Sequence, residues 1–62
     1  MWTVVYIAQN QEAAQSLRSA LETGGILVRL RPVSQAEDGC YEVLVPEAEV
    51  SEAHGIIIDI GF

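Results

Sequence analysis

Arg29 and Arg31 are the residues of this chain best placed to do chemistry. They stand two apart in an alternating run, and residues i and i+2 of an extended strand share a face. A guanidinium fork matches the geometry of a carboxylate or a phosphate. The pair is therefore a candidate clamp for a small anionic metabolite. The competing reading is a cross-strand ion pair with Glu42. His54, with Glu47, Glu49 and Glu52 nearby, raises the question of a metal. Transition-metal sites need three or four converging ligands, and one histidine among acids spread along an exposed helix does not supply them. Cys40 has neither a second cysteine to pair with nor a basic neighbour in sequence that would favour the thiolate. A passive thiol and no metal are expected.

The chain contains no lysine. That excludes Schiff-base chemistry on its own side chains, including pyridoxal phosphate held on a lysine, and no cofactor is expected. General acid–base catalysis needs a site that perturbs a pKa. Sixty-two residues leave little room for a cleft of the usual ~300 Å³ or more. No residue pattern points to an enzyme.

Charge narrows the partners. Nine acids stand against three arginines, for a net charge of −6. Proteins that bind nucleic acid neutralise phosphates with basic side chains, so neither nucleic acid nor an anionic membrane surface is an expected partner. A lone cysteine fits a reducing compartment, and the reading is cytoplasmic. No apolar stretch approaches the ~20 residues that span a bilayer. Trp2–Ala8 is apolar but short, lacks a basic leader and runs into Gln9-Asn10-Gln11-Glu12. It reads as a strand rather than a signal peptide.

The elements follow from pattern. After the strand at Trp2–Ala8, Asn10 is a good helix N-cap. Ala13, Ala14, Leu17, Ala20 and Leu21 then fall on one helical stripe up to Thr23. Gly24-Gly25 ends that helix. Ile26–Arg31 reads as a second strand closed by Pro32, 34–39 as a polar turn region, and Cys40–Val45 as a third strand. Beyond Pro46, the acids Glu47, Glu49 and Glu52 suit the positive end of a helix dipole. The last segment carries two patterns. Val50, Ala53, Ile57 and Ile60 make a helical stripe, which is preferred. Ile56, Ile58, Ile60 and Phe62 also alternate like a fourth strand, and isoleucines favour sheets.

These elements make one expected α+β domain over residues 1–62. A helix between the first two strands implies a right-handed crossover and parallel strands. The third strand turns back between them, giving the order 1-3-2. Both helices cover one sheet face. The result is a ferredoxin-like open-faced sandwich, β-α-β-β-α, with or without a fourth strand. Val5, Ile7, Ile26, Val28, Leu30, Val43 and Val45 should face the helices. The open face should carry Trp2, Val4, Tyr6, Leu27 and Leu44 beside Glu42, Arg29 and Arg31. Without a fourth strand, the first strand is also an uncapped edge.

Several of these stretches resemble a known family. Val4-Val5-Tyr6-Ile7-Ala8, the helix start Asn10-Gln11-Glu12-Ala13-Ala14, the turn Leu21-Glu22-Thr23-Gly24-Gly25-Ile26, and Tyr41-Glu42-Val43-Leu44-Val45-Pro46-Glu47 with Glu52-Ala53 look like the small bacterial signal-transducing proteins akin to the nitrogen-regulatory PII proteins. The resemblance spans almost the whole chain and implies a ferredoxin-like fold and a regulatory role. Its signature is structural, so it transfers no catalytic residue. The segment 32–39 is too short for the long nucleotide-binding loop of PII proteins. Short chains of similar pattern also go by the name glutamate decarboxylase, a reaction that needs the lysine this chain lacks.

The expected function is a small non-enzymatic regulatory or interaction module. It is expected to self-associate as a homodimer, or to bind another protein, through Trp2, Val4, Tyr6, Leu27 and Leu44. A large exposed apolar patch on a small protein marks an interaction site. The alternative is an anion sensor built on Arg29 and Arg31.

Overall fold

A computed structural model describes residues 1–33 and 39–62. The expected polar turn falls mainly on 34–38, outside the described residues. The element order is β1 (Trp2–Ala8), α1 (Gln11–Thr23), β2 (Arg29–Pro32), β3 (Tyr41–Pro46), a short 3₁₀ turn (Glu47–Glu49) and α2 (Val50–Ile60). β3 lies in the middle of a three-stranded sheet and pairs antiparallel with both neighbours, in the order β1-β3-β2. β1 and β2 therefore run parallel, as the crossover through α1 requires. This is the ferredoxin-like α+β sandwich, with both helices on one face. Among the described residues, no helix is long and apolar enough to cross a membrane.

α1 begins where its cap begins. The Asn10 side-chain oxygen accepts from the Ala13 N–H at 2.7 Å, satisfying a donor that has no partner within the helix. Its apolar stripe buries Ala14, Leu17 and Leu21. The helix ends in a Schellman motif. Gly25 takes a left-handed φ of 85°, its N–H reaches the Glu22 carbonyl, and the Ile26 N–H reaches the Leu21 carbonyl. Such a motif usually brings the apolar residue after the glycine onto the helix's last turn. Ile26 and Leu21 both belong to the core.

That motif corrects the second strand. β2 starts at Arg29 rather than Ile26, because Ile26 is committed to closing α1. It ends at Pro32, which sits on an outer strand where its missing N–H breaks no ladder. β3 likewise begins one residue later than Cys40 and extends through Pro46.

The C-terminal segment is a helix, and its end repeats the device. Gly61 has a φ of 79°, its N–H bonds to the Ile58 carbonyl, and the Phe62 N–H bonds to the Ile57 carbonyl. Burial of Ala53 and Ile57 against the sheet outweighs the strand preference of the isoleucines. The two helices close against each other where a Cβ on Gly24 would lie 2.6 Å from Ile56 Cδ1. The core is Leu17, Leu21, Ile26, Val43, Val45, Ala53 and Ile57, with Val5, Tyr6, Val28, Leu30, Val50 and Ile56 packed around it.

Candidate interaction surface

The β1–β3 register decides which side chains reach the open face. Trp2 pairs with Pro46, Thr3 with Val45 and Val4 with Leu44, but Tyr6, not Val5, pairs with Val43. Val5 is an extra residue, a β-bulge, and a bulge resets which face each later side chain takes. Directly opposed residues of an antiparallel pair share a face, so Tyr6 joins Val43 on the helix side. There its ring meets Phe62 edge-on, with centroids 5.6 Å apart. Ile7 pairs with Glu42 and turns to the open side. The expectation of Ile7 inward and Tyr6 outward is corrected on both counts.

The open face divides into two halves. On the β2 side, the charges are engaged. Arg31 Nε and Nη2 both approach Glu42 Oε1 at 2.7 Å, as the cross-strand reading anticipated. Arg29 Cζ lies 4.9 Å above the Trp2 ring, a distance at which the ring face attracts the cation. Leu44 sits opposite both Val4 and Arg29 and is only 4% exposed. Trp2 and Arg29, meeting from strands on either side of β3, help to cover it. Leu44 is thus a covered residue of the open face rather than exposed contact surface.

The β1 side is bare. Trp2 is 38% exposed, Val4 39% and Ile7 55%. Leu27, expected on this face, precedes β2 and has no place in the ladder, although it is 67% exposed. Among the described residues, eight large apolar side chains stand exposed: Met1, Trp2, Val4, Ile7, Leu27, Ile58, Ile60 and Phe62. All but Leu27 belong to β1, to α2 or to the residues flanking them. Trp2, Val4 and Ile7 lie on the open face, whereas Ile58 and Ile60 belong to the helix layer on the other side of the sheet. The exposure of Ile7, Ile58, Ile60 and Phe62 was not expected. The isoleucine run was visible in the sequence, but assigning it required knowing that α2 is a helix and that β1 is bulged.

The remaining candidates do not converge. His54, Glu47 and Glu52 are exposed and Glu49 half-buried. Among the described residues, no three His, Cys, Asp or Glu side chains gather as metal ligands, and no pocket forms. Cys40 is half-buried, with Sγ 3.9 Å from the Gln9 carbonyl oxygen.

Compared with known proteins, the chain matches no family model, no curated protein and no solved structure.

Proposed function

We propose that the protein is a small, non-enzymatic interaction module of the cytoplasm that works by self-association, with Trp2, Val4 and Ile7 of the open face at the contact. One observation carries the reading: Trp2, Val4 and Ile7 of β1 stand exposed along the open face, while the charged groups on its β2 side are engaged, Arg29 by the Trp2 ring and Arg31 by Glu42. Apolar surface of this kind favours association by leaving water, at roughly 25 cal/mol per Å². The resemblance to small bacterial signal-transducing proteins fits a regulatory role for such a module. The anion-sensor alternative draws no comparable support, because both guanidiniums already have partners.

The test is solution mass across a dilution series, by sedimentation equilibrium. The wild-type chain should form a dimer. The double variant Val4→Glu/Ile7→Glu should shift toward monomer while keeping its circular dichroism spectrum, since both positions are exposed. A folded double variant with wild-type mass at every concentration would sink the reading.

A further inference from the structure

The two helices differ in how well their own residues support them. α1 starts on the Asn10 cap, bonded to the Ala13 N–H, and carries an Arg18–Glu22 pair one turn apart at 3.2 Å. It holds no glycine, and it fully encloses Ala14, Leu17 and Leu21, residue types that favour a helix. Leu17 and Leu21 share the core with Ile26, Val43 and Val45. The Ile26 N–H also bonds to the Leu21 carbonyl. α1 is therefore tied to the sheet by contacts of its own.

α2 has the opposite character. It opens on Glu49, whose side chain makes no capping hydrogen bond. Gly55 stands in its middle, and a Cβ built there would meet nothing within 4 Å. Packing does not require that glycine, so the helix carries its conformational cost without return. Ile56, Ile57 and Ile58 follow, with branched side chains that are restricted in a helix and suit a strand. Asp59 falls in the last turn and adds charge to the negative end of the helix dipole, with no basic residue in that turn to offset it. Against these costs, α2 fully encloses Ala53 and leaves Ile57 8% exposed. It lies over β1 and β3, and the Phe62 ring beyond its end rests edge-on against Tyr6.

We infer that α2 is a lid: Val50 to Phe62 lifts from the sheet as a unit while α1 and the three strands stay folded. Proteins open locally in cooperative units, and the unit that opens first is the one with the weakest local support. A missing cap and an interior glycine each shift a helix equilibrium about fivefold. Together they make the opening of α2 at least tenfold more frequent than that of α1. The lifted state uncovers Tyr6, whose ring Phe62 otherwise meets, and the part of the core around Ala53 and Ile57. The chain thus holds an apolar surface that is closed at rest and exposed on opening. This surface lies on the helix side of the sheet, so the lid does not depend on self-association through Trp2, Val4 and Ile7 of the open face.

Amide hydrogen exchange of the full chain under native conditions tests the lid. It would be followed residue by residue by NMR on wild type, Gly55→Ala and Gln15→Gly, both substitutions at exposed helix positions. In the wild type, the hydrogen-bonded α2 amides should share one protection factor, at least tenfold below that of the α1 amides. Gly55→Ala should raise α2 protection about fivefold. Gln15→Gly should lower α1 protection about threefold and leave α2 unchanged, because α1 is intact when α2 lifts. Equal loss in both helices on Gln15→Gly would mean that the chain opens only as a whole, and the lid would be excluded. A wild type in which α1 is the less protected helix would overturn the inference outright. So would α2 amides whose protection factors grade smoothly from one end to the other, since that is fraying rather than lifting.

Discussion

At the scale of single residues, the arginines show how a feature suited to chemistry becomes a structural one. Arg31 and Glu42 meet because β2 and β3 place them opposite each other on the same face. The contact is close, at 2.7 Å, but the side chains are 60% and 25% exposed, so water competes with it. A double-mutant cycle with Arg31→Ala and Glu42→Ala should give a coupling of about 0.5 kcal/mol, typical of exposed pairs. Urea unfolding of the four proteins would measure it. A coupling above about 2 kcal/mol would mean the pair is desolvated and the open face is more closed than the exposures indicate. Arg29 acts differently: its guanidinium lies on Trp2 while its stem helps cover Leu44. Such amphipathic use of an arginine stem is common, and it explains why an apolar residue on the open face is nearly buried.

At the scale of elements, the tightest constraint is the approach of α1 and α2 at Gly24. Its φ of −80° is open to any residue, so the requirement for glycine is one of space: an added Cβ would meet Ile56 Cδ1. Gly24→Ala should cost about 1–3 kcal/mol through overpacking. Ile56→Val removes that same Cδ1 and on its own should cost about 0.5–1.5 kcal/mol. The double variant should lose less than the sum, and denaturant titration would show it. Strict additivity would mean that the two helices do not press on each other there. The elements themselves were legible wherever a local signal coincided with a burial pattern. Asn10, the Ala14–Leu17–Leu21 stripe, Gly25 and the alternation of Val43 and Val45 each pointed one way, and the 1-3-2 order followed. What the pattern missed depended on distant partners. Alternation along β1 assumed a regular ladder, and the bulge at Val5, defined only against β3, exchanged the faces of Tyr6 and Ile7. Ile26 reads as strand until its bond to the Leu21 carbonyl claims it for the end of α1. The surroundings of the two arginines and the membership of the open face were illegible for the same reason. Glu42 and Trp2 had to be brought beside the arginines before either could be judged.

At the scale of the whole molecule, β1 is a seven-residue outer strand without charge, and Trp2, Val4 and Ile7 stand exposed along it. Self-association would still have to bring together two bodies of charge −6. Their repulsion acts over a distance set by salt, since the screening length falls from roughly 30 Å at 0.01 M to about 10 Å at 0.1 M. The proposed contact is made by the apolar side chains of β1, which modest sodium chloride leaves nearly unchanged. Raising salt through this range should therefore tighten the dimer and then level off, as the long-range term disappears and the short-range contact remains. Sedimentation equilibrium at several salt concentrations would follow it. A dimer that loosens with salt would be held by opposite charges, with Arg29 and Arg31 of one copy against acids of the other. That result would move the interface from the β1 side to the β2 side of the open face.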